Sequence, residues 1–211
     1  MKHKKDLYET RYSRTWEIDE PADHVVDFAR TLKNKAGLIL DVGCGAGRNS
    51  FFLAKEGFHL IGLDISLSAS RLASERNQRE KTQCMFVMGT FLHLPFSEER
   101  LDAAFSSYAI ENVSLEQIKK ALSEMKRVVK KGGVMHITLH SPKHWRFGQG
   151  KKIANHEFVT FQMIKNKQVE IIAHFFEKEE AGRLFQDIGL KLLSVQEVLS
   201  PNEKQRAYLI R

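Results

Sequence analysis

The stretch Leu38-Ile39-Leu40-Asp41-Val42-Gly43-Cys44-Gly45-Ala46-Gly47-Arg48 decides the fold of this 211-residue chain. Its first five residues are apolar apart from Asp41, which predicts a buried strand, and three glycines at alternate positions predict a tight turn into a helix. A dinucleotide-binding fingerprint needs a glycine where Arg48 stands, so the stretch disfavours a nicotinamide nucleotide. The Asp41 carboxylate also suits a ligand with an ammonium group better than one with a pyrophosphate.

Strand-like and helix-like segments alternate on both sides of this stretch. Strands are predicted at 38–42, 59–64, 84–88, 103–107 and 134–139, and helices at 51–55, 68–76 and 115–129. This alternation is typical of parallel strands joined by crossover helices. Gly132-Gly133 is expected to end the third of these helices and turn the chain into the next strand.

The pattern changes after residue 139. Ser141-Pro142 and Gly148-Gln149-Gly150 indicate irregular loop, and two apolar runs predict a β-hairpin of 158–164 against 169–175. A helix at 177–186 and strands at 190–198 and 207–210 follow. The sequence thus predicts a Rossmann-like, mostly parallel α/β sheet of seven strands, with a hairpin inserted before the last two strands and placed over the carboxyl ends of the sheet.

One domain over residues 1–211 is expected, in four parts. These are an N-terminal cap segment (1–36), a ligand-binding core (37–140), the inserted loop and hairpin (141–176), and a C-terminal helix with two strands (177–211).

Asp64 ends the second predicted strand, 17 residues after Gly47. In such sheets a carboxylate at this place accepts hydrogen bonds from both hydroxyls of an adenosine ribose. Ile65 is then placed to pack on the adenine. The alternative is that Asp64 caps the helix that follows, since Ser66 and Ser68 come next.

Further blocks follow the glycine stretch in a fixed order: Gly89-Thr90-Phe91, Leu94-Pro95-Phe96 with Leu101-Asp102, and residues 127–133. With the glycine stretch, they resemble the class I S-adenosylmethionine-dependent methyltransferases from about residue 38 to 140. Gly47-Arg48-Asn49-Ser50, together with Arg11, Tyr12, Trp16 and Pro21, is similar to the branch that contains tellurite-resistance and thiopurine methyltransferases.

The resemblance implies S-adenosylmethionine as cofactor and S-adenosylhomocysteine as product. It places Asp41, Gly43 and Gly45 around the methionine moiety and Asp64 on the ribose. The remaining implied cofactor-binding residues are Cys44, Gly47, Arg48, Ile65, Gly89, Thr90, Phe91, Ser106, Ser107 and Trp16. Thr90 departs from the family, which usually has Asp there, so its contact with adenine is expected to be weaker. Arg48 either binds a carboxylate or covers the helix start, and Trp16 and Tyr12 either cover the cofactor or pack internally.

The catalytic residues are not identified by the sequence, because the histidine that many relatives carry near Glu111 and Asn112 is missing. The candidates are Tyr108, His140 and His144, with Glu111, Asn112, His156 and His174 as further groups at the acceptor side. Bound metal is not expected, since His136 and His140 would lie about 13 Å apart along a strand. A contact between His156 and His174 across the hairpin is the simpler interpretation of that pair.

The composition excludes several classes of protein. The only two cysteines, Cys44 and Cys84, are interpreted as free thiols, and no signal-like or membrane-spanning run is visible, so a cytoplasmic location is expected. The net charge of +7 raises the possibility of nucleic acid, although its densest part, between Lys119 and Lys131, is typical of a solvated helix face.

The hypothesis is therefore a methyltransferase acting on a small-molecule acceptor that the sequence leaves open. The alternatives are an RNA or protein methyltransferase and a non-catalytic protein that binds S-adenosylmethionine. Exposed edges of the hairpin make a homodimer possible.

Overall fold

The computed structural model describes residues 20–32, 37–164, 167–199 and 206–210. Ten strands lie in these ranges: β1 (Leu38–Val42), β2 (His59–Asp64), β3 (Cys84–Met88), β4 (Leu101–Ser106), β5 (Val129–His140), β6 (Lys151–Ala154), β7 (Glu157–Ile164), β8 (Lys167–His174), β9 (Val195–Leu199) and β10 (Arg206–Ile210).

Seven of these strands form one sheet in the order β3-β2-β1-β4-β5-β10-β9. The neighbouring pairs from β3 to β5 are all parallel, whereas β10 is antiparallel to both β5 and β9. The predicted mostly parallel sheet of seven strands is confirmed. Its first strand carries the glycine-rich turn at the centre of the sheet, where open α/β folds bind ligands.

Five helices are described: α1 (Asp23–Thr31), α2 (Arg48–Lys55), α3 (Leu67–Glu80), α4 (Leu115–Val128) and α5 (Lys178–Asp187). Two apolar cores cover the sheet. One contains Ile118, Leu122 and Met125 of α4, which are fully buried as their spacing predicts. The other contains Phe28 of α1 and Phe51 of α2. None of the helices in the described ranges is long and apolar enough to cross a membrane.

The prediction that Gly132-Gly133 ends helix α4 is wrong. The helix ends at Val128, and both glycines lie within β5. The physical reason is close approach between strands, because a Cβ on Gly133 would come within 2.7 Å of the Asp102 carbonyl oxygen on β4. Glycine at this place therefore allows β5 to pass β4, where the register between the two strands shifts.

The inserted segment forms a second sheet of three antiparallel strands in the order β6-β7-β8, called here the cap sheet. The predicted hairpin is present as β7 and β8. The third strand was missed, because β6 is a short, exposed edge strand whose Lys-Lys sequence carries no apolar alternation.

Three contacts fix the cap sheet to the core. The Phe176 amide donates to the His140 carbonyl at the end of β5 (2.8 Å). A Glu157 carboxylate oxygen on β7 accepts from the Leu115 amide at the start of α4 (2.6 Å), where a negative charge also faces the positive end of the helix. Phe175 is fully buried beneath the sheet. The cap sheet thus lies beside the carboxyl end of β5.

The interpretation of His156 and His174 as a direct pair is wrong. In β-sheet register, Glu157 stands opposite His174. Both histidines approach Glu180 of α5 instead, His174 Nε2 at 3.0 Å and His156 Nδ1 at 3.8 Å. The last predicted strands are present with shifted bounds: β9 starts five residues later than expected.

Candidate functional site

The glycine-rich turn after β1 has the backbone that only glycine adopts easily. Gly43, Gly45 and Gly47 have φ angles of 76°, 57° and 87°. The amides of Gly43 and Cys44 both donate to the Leu63 carbonyl of β2, at 2.7 and 3.1 Å. The turn is therefore held against the end of β2 by its own backbone.

A side chain at Gly43 has no room. A Cβ there would overlap the Cβ of Ala109, which lies in the turn after β4. The glycine turn thus lies directly beside the chain segment that follows β4, and these two segments together form the edge at which a ligand would bind.

Asp64, buried at the end of β2, connects the glycine turn with the start of α3. One carboxylate oxygen accepts from the Gly45 amide and the other from the Ser66 amide, both at 2.9 Å. The alternative that Asp64 caps α3 is wrong, because the Ser66 hydroxyl is the cap and accepts from the Ala69 amide. Each carboxylate oxygen can accept a second hydrogen bond, as two ribose hydroxyls would require.

The electrostatics of the turn favour a cation. Burial and, to a smaller extent, the nearby Asp64 carboxylate raise the pKa of Asp41 to about 7, although the Ser50 hydroxyl donates to Asp41 at 2.7 Å and limits the rise. Two neighbouring buried acids are stabilised by a positive ligand and destabilised by a pyrophosphate. The residues therefore fit a methionine sulfonium with its ammonium group. Burial also raises the pKa of the Cys44 thiol well above its ordinary value, and both cysteines are free, as predicted.

The segment predicted to border the adenine follows β3. The Gly89 amide donates to the Asp64 carbonyl at 2.9 Å, which places this segment next to the end of β2. The Thr90 hydroxyl accepts from the Leu92 amide at 3.2 Å, so it stabilises its own turn. Phe91 packs against the apolar core that contains Ile118 of α4, and Ile65 is half-buried.

The two serines after β4 have different environments. The Ser106 hydroxyl is buried and donates to the Val42 carbonyl of β1. The Ser107 hydroxyl is half-buried and contacts His24 Nε2 at 3.1 Å, while His24 Nδ1 contacts His136 Nε2 at 2.9 Å. The sequence did not point to His24. It lies on the buried face of α1, and the packing of this helix against the sheet brings it to Ser107.

Arg48 lies close to the glycine turn, since its cation lowers the pKa of both Asp41 and Tyr108. Arg48 contacts the Glu20 carbonyl at 3.4 Å at the start of α2. Trp16 and Tyr12 lie outside the described residues.

A second group of polar side chains lies under the cap sheet at the carboxyl ends of β4 and β5. We call it the acceptor-side cluster; it consists of Glu111, Asn112, His140, His144 and Arg146, each at most 7% exposed. His140 Nδ1 lies 3.4 Å from a Glu111 oxygen, and Arg146 Nη2 bonds both His140 Nε2 (2.9 Å) and the Asn112 side-chain oxygen (3.0 Å). Phe175 stacks on the His140 ring from the cap side.

Burial controls the charge of the cluster. It raises the pKa of Glu111 to about 7, and it lowers the pKa of His140 well below its ordinary value and that of His144 to about 3. The Arg146 cation lowers the pKa of all three groups. Both histidines are therefore neutral at pH 7, whereas Glu111 is poised between its two forms.

Tyr108, the third catalytic candidate, lies at the rim of this cluster. Its hydroxyl donates to the Leu199 carbonyl at 3.2 Å, and burial raises its pKa. Arg146 was missed by the sequence reasoning. The only signal was its position within the aromatic stretch His144-Trp145-Arg146-Phe147. In the described ranges no three His, Cys, Asp or Glu side chains are arranged to hold a metal ion.

Comparisons with known proteins agree with this geometry. Residues 39–133 match the family model described as "Methyltransferase domain". An uncharacterized methyltransferase of Synechocystis is 34% identical over 110 residues, which cover 52% of this chain and 50% of the relative. Demethylmenaquinone methyltransferase of Thermobifida fusca is 33% identical over 122 residues, 55% of this chain and 51% of the relative. The chain spans about half the length of the curated relatives it matches.

Among solved structures, a SAM-dependent methyltransferase of Methanosarcina mazei superposes with a TM-score of 0.74 at 21% identity, covering 87% of this chain and 94% of the other. The sheet order and the glycine turn thus define a Rossmann-like fold of the methyltransferase type. Over residues 39–133 the chain is similar to the class I S-adenosylmethionine-dependent methyltransferases.

Proposed function

We propose that this protein transfers a methyl group from S-adenosylmethionine to a small-molecule acceptor. The observation that carries the proposal is the Asp64 carboxylate, buried and fixed between the Gly45 and Ser66 amides beside a glycine turn that admits no side chain at Gly43. S-adenosylmethionine supplies a methyl group bonded to a positively charged sulfur, which departs as a neutral thioether when the methyl group is transferred.

The residues around the glycine turn have different roles in this proposal. Asp64 accepts hydrogen bonds from the ribose hydroxyls. The buried Asp41 carboxylate stabilises the positive methionine end. Thr90 and Phe91 border the adenine, and Ser107 faces the acceptor. The protein then accelerates transfer mainly by holding the acceptor in line with the methyl carbon.

The preference for a small acceptor comes from the cap sheet. It contacts the carboxyl end of β5, and Phe175 stacks on His140 of the acceptor-side cluster, which favours a compact acceptor over a polymer. Some basic side chains of α4 and the following strand are engaged locally: Lys126 bonds the Ile188 carbonyl, and Lys130 pairs with Asp102. This favours the small-molecule reading over RNA.

The test is thermal unfolding with ligand. S-adenosylmethionine and S-adenosylhomocysteine are each expected to raise Tm, because a ligand that binds the native state stabilises it. Asp64→Ala should remove most of the rise. Asp102→Ala is the matched control, since Asp102 also accepts from a backbone amide, that of Leu38, but lies at the opposite end of the sheet.

The proposal is contradicted if NAD raises Tm and these ligands do not. It is also contradicted if both variants lose the ligand-induced rise in Tm equally. A rise with S-adenosylmethionine but no methylated product from any acceptor would favour a non-catalytic binding protein.

A further inference from the structure

The acceptor-side cluster contains buried polar atoms without a partner. By strict hydrogen-bond geometry, the two Glu111 oxygens and His144 Nε2 have no partner among the described residues, although the Thr138 hydroxyl lies near enough to stabilise the Glu111 carboxylate. Glu111 is fully buried, and His140 Nδ1 lies 3.4 Å from one of its oxygens. Unpartnered buried groups are rare in native proteins because they destabilise the fold, so each requires a reason.

Only Glu111 in this cluster has lone pairs ready to take a proton. His140 Nε2 already accepts from Arg146 Nη2 at 2.9 Å, which places the His140 proton on Nδ1, facing Glu111. His144 Nδ1 accepts from the Arg146 amide at 3.1 Å, which places its proton on Nε2. The Tyr108 hydroxyl donates to a carbonyl. The two histidines predicted as catalytic candidates are thus poor bases here.

The position of Glu111 relates it to the glycine turn. Ala109, two residues earlier, is the residue that fills the space beside Gly43. The Ile110 amide contacts the Ser106 hydroxyl at 3.4 Å, so the turn carrying Glu111 is fixed to the end of β4. Glu111 therefore lies between the glycine turn and the cap sheet, on the side where the acceptor would bind.

We propose that Glu111 is the general base for a hydroxyl-bearing small-molecule acceptor; this inference rests on the proposed function. In the step, the acceptor O–H bond breaks and its proton moves to a Glu111 oxygen. The electron pair of the acceptor oxygen forms the new bond to the methyl carbon. The sulfur–methyl bond breaks with its pair remaining on sulfur, which leaves the neutral thioether, and Glu111 later releases the proton to water.

The charged and titratable groups around Glu111 suit this role. His140 approaches it from β5, Arg146 from the loop after β5, and Tyr108 from its own turn. Burial raises the pKa of Glu111 to about 7, and the Thr138 hydroxyl and the Arg146 cation limit the rise, which brings the group near the pH at which a general base is most effective. Because Glu111 is fully buried, an acceptor reaches it only when side chains around the cluster shift; on the cap side these include Phe175, which contacts both histidines.

The first experiment needs no acceptor. Glu111→Gln is compared with Glu124→Gln by thermal unfolding at pH 8, where Glu124 is the matched control because its carboxylate is fully engaged by Arg127 and the Leu94 amide. Glu111→Gln is expected to leave Tm unchanged or higher, and Glu124→Gln to lower it. A Tm of Glu111→Gln lowered as far as that of Glu124→Gln, or a Glu111→Gln variant that does not fold, means a structural role and overturns the inference.

The second experiment uses a matched pair of probes, a phenol and the thiophenol of the same shape, with label on the methyl group of S-adenosylmethionine. The thiophenol ionises more easily and needs no base. Glu111→Gln should lose at least 100-fold in kcat with the phenol and less than 3-fold with the thiophenol. Equal losses with both probes, or full activity with the phenol, overturn the inference. If the wild type methylates neither probe, the unfolding comparison decides.

Ligand binding separates this inference from the proposed function. Glu111→Gln should keep the full Tm rise with S-adenosylhomocysteine. If the wild type shows no rise, the proposed function fails; if both show the rise and the Glu111 tests are negative, only the assignment of the base fails.

Discussion

The glycine turn and the acceptor-side cluster lie at the same edge of one sheet, yet their buried carboxylates differ in how many hydrogen bonds they accept. In the turn, Asp64 is fixed by two backbone amides and Asp41 by a serine hydroxyl. In the cluster, neither Glu111 oxygen has a partner of strict hydrogen-bond geometry among the described residues, and only the nearby Thr138 hydroxyl and Arg146 cation stabilise the carboxylate. The first region is therefore preorganised for one ligand, whereas the second keeps reactive groups available.

The contrast is sharpest between two glutamates on the connection from β4 to β5. Arg127 and the Leu94 amide hold the pKa of Glu124 at about 2, whereas burial raises that of Glu111 to about 7. A lowered pKa stabilises the fold above pH 4.5 and this stability is lost as the pH falls toward 2. A raised pKa has the opposite sign: it costs stability as the pH rises from 4.5 through 7.

The largest effect is therefore expected for Glu124→Gln. It should lower the free energy of unfolding by about 3 kcal/mol at pH 7, because the substitution removes the charge from a carboxylate that Arg127 and the Leu94 amide bond. Denaturant unfolding measures it. An effect below about 1 kcal/mol would show that the partners of Glu124 contribute little to stability. The proposed difference between Glu124 and Glu111 would then be wrong.

Gly43→Ala and Gly132→Ala compare two glycines of nearly equal φ, 76° and 78°. A side chain at Gly43 meets Ala109, whereas one at Gly132 meets nothing within 4 Å. We expect losses of stability of about 3 and about 1 kcal/mol, because both variants strain the backbone but only the first overpacks. Equal losses would mean that the glycine turn is not in close contact with the segment after β4.

The ionisation of Asp41 should be visible in ligand affinity. Because a cationic ligand favours the ionised carboxylate, the Kd for S-adenosylmethionine should rise about 5-fold between pH 7 and pH 6, since the ionised fraction of Asp41, whose pKa is about 7, falls by that factor. Calorimetric titration at several pH values measures this, and Asp41→Asn should flatten the profile. An unchanged profile in Asp41→Asn would assign the pH dependence to another group.

The smallest effect concerns the cap sheet. Glu157→Gln should weaken its bond to the Leu115 amide and lower stability by about 0.5–1 kcal/mol. Hydrogen exchange in β7 and β8 should become faster. Glu170→Gln on β8 is the control, because Glu170 is exposed and should change neither value. Faster exchange in both variants would show that the Glu157 contact is not what holds the cap.

The cofactor half of the site could be predicted because its signals are local. Asp41, Gly43 and Gly47 lie within one turn, and the distance in sequence to Asp64 is set by one helix and one strand. The ends of elements were less predictable: Gly132-Gly133 looks like a helix end in sequence, and only the proximity of Asp102 on the neighbouring strand explains it.

The contacts within the acceptor-side cluster could not be predicted, because they are long-range. Arg146 meets Asn112 across 34 residues, and Glu157 meets Leu115 across 42. Neither pair has a periodic or spaced signature. Glu111 was named as a candidate by its place after a strand, but its role depends on which of its neighbours already use their lone pairs.

A crystal structure of the protein with S-adenosylhomocysteine tests the central claim most directly. The account predicts the ribose hydroxyls within hydrogen-bond distance of Asp64 and the amino-acid tail along the turn from Gly43 to Gly47, with Gly45 and Ser66 still bonded to Asp64. A nucleoside bound elsewhere, with side chains filling the space beside that turn, would contradict it.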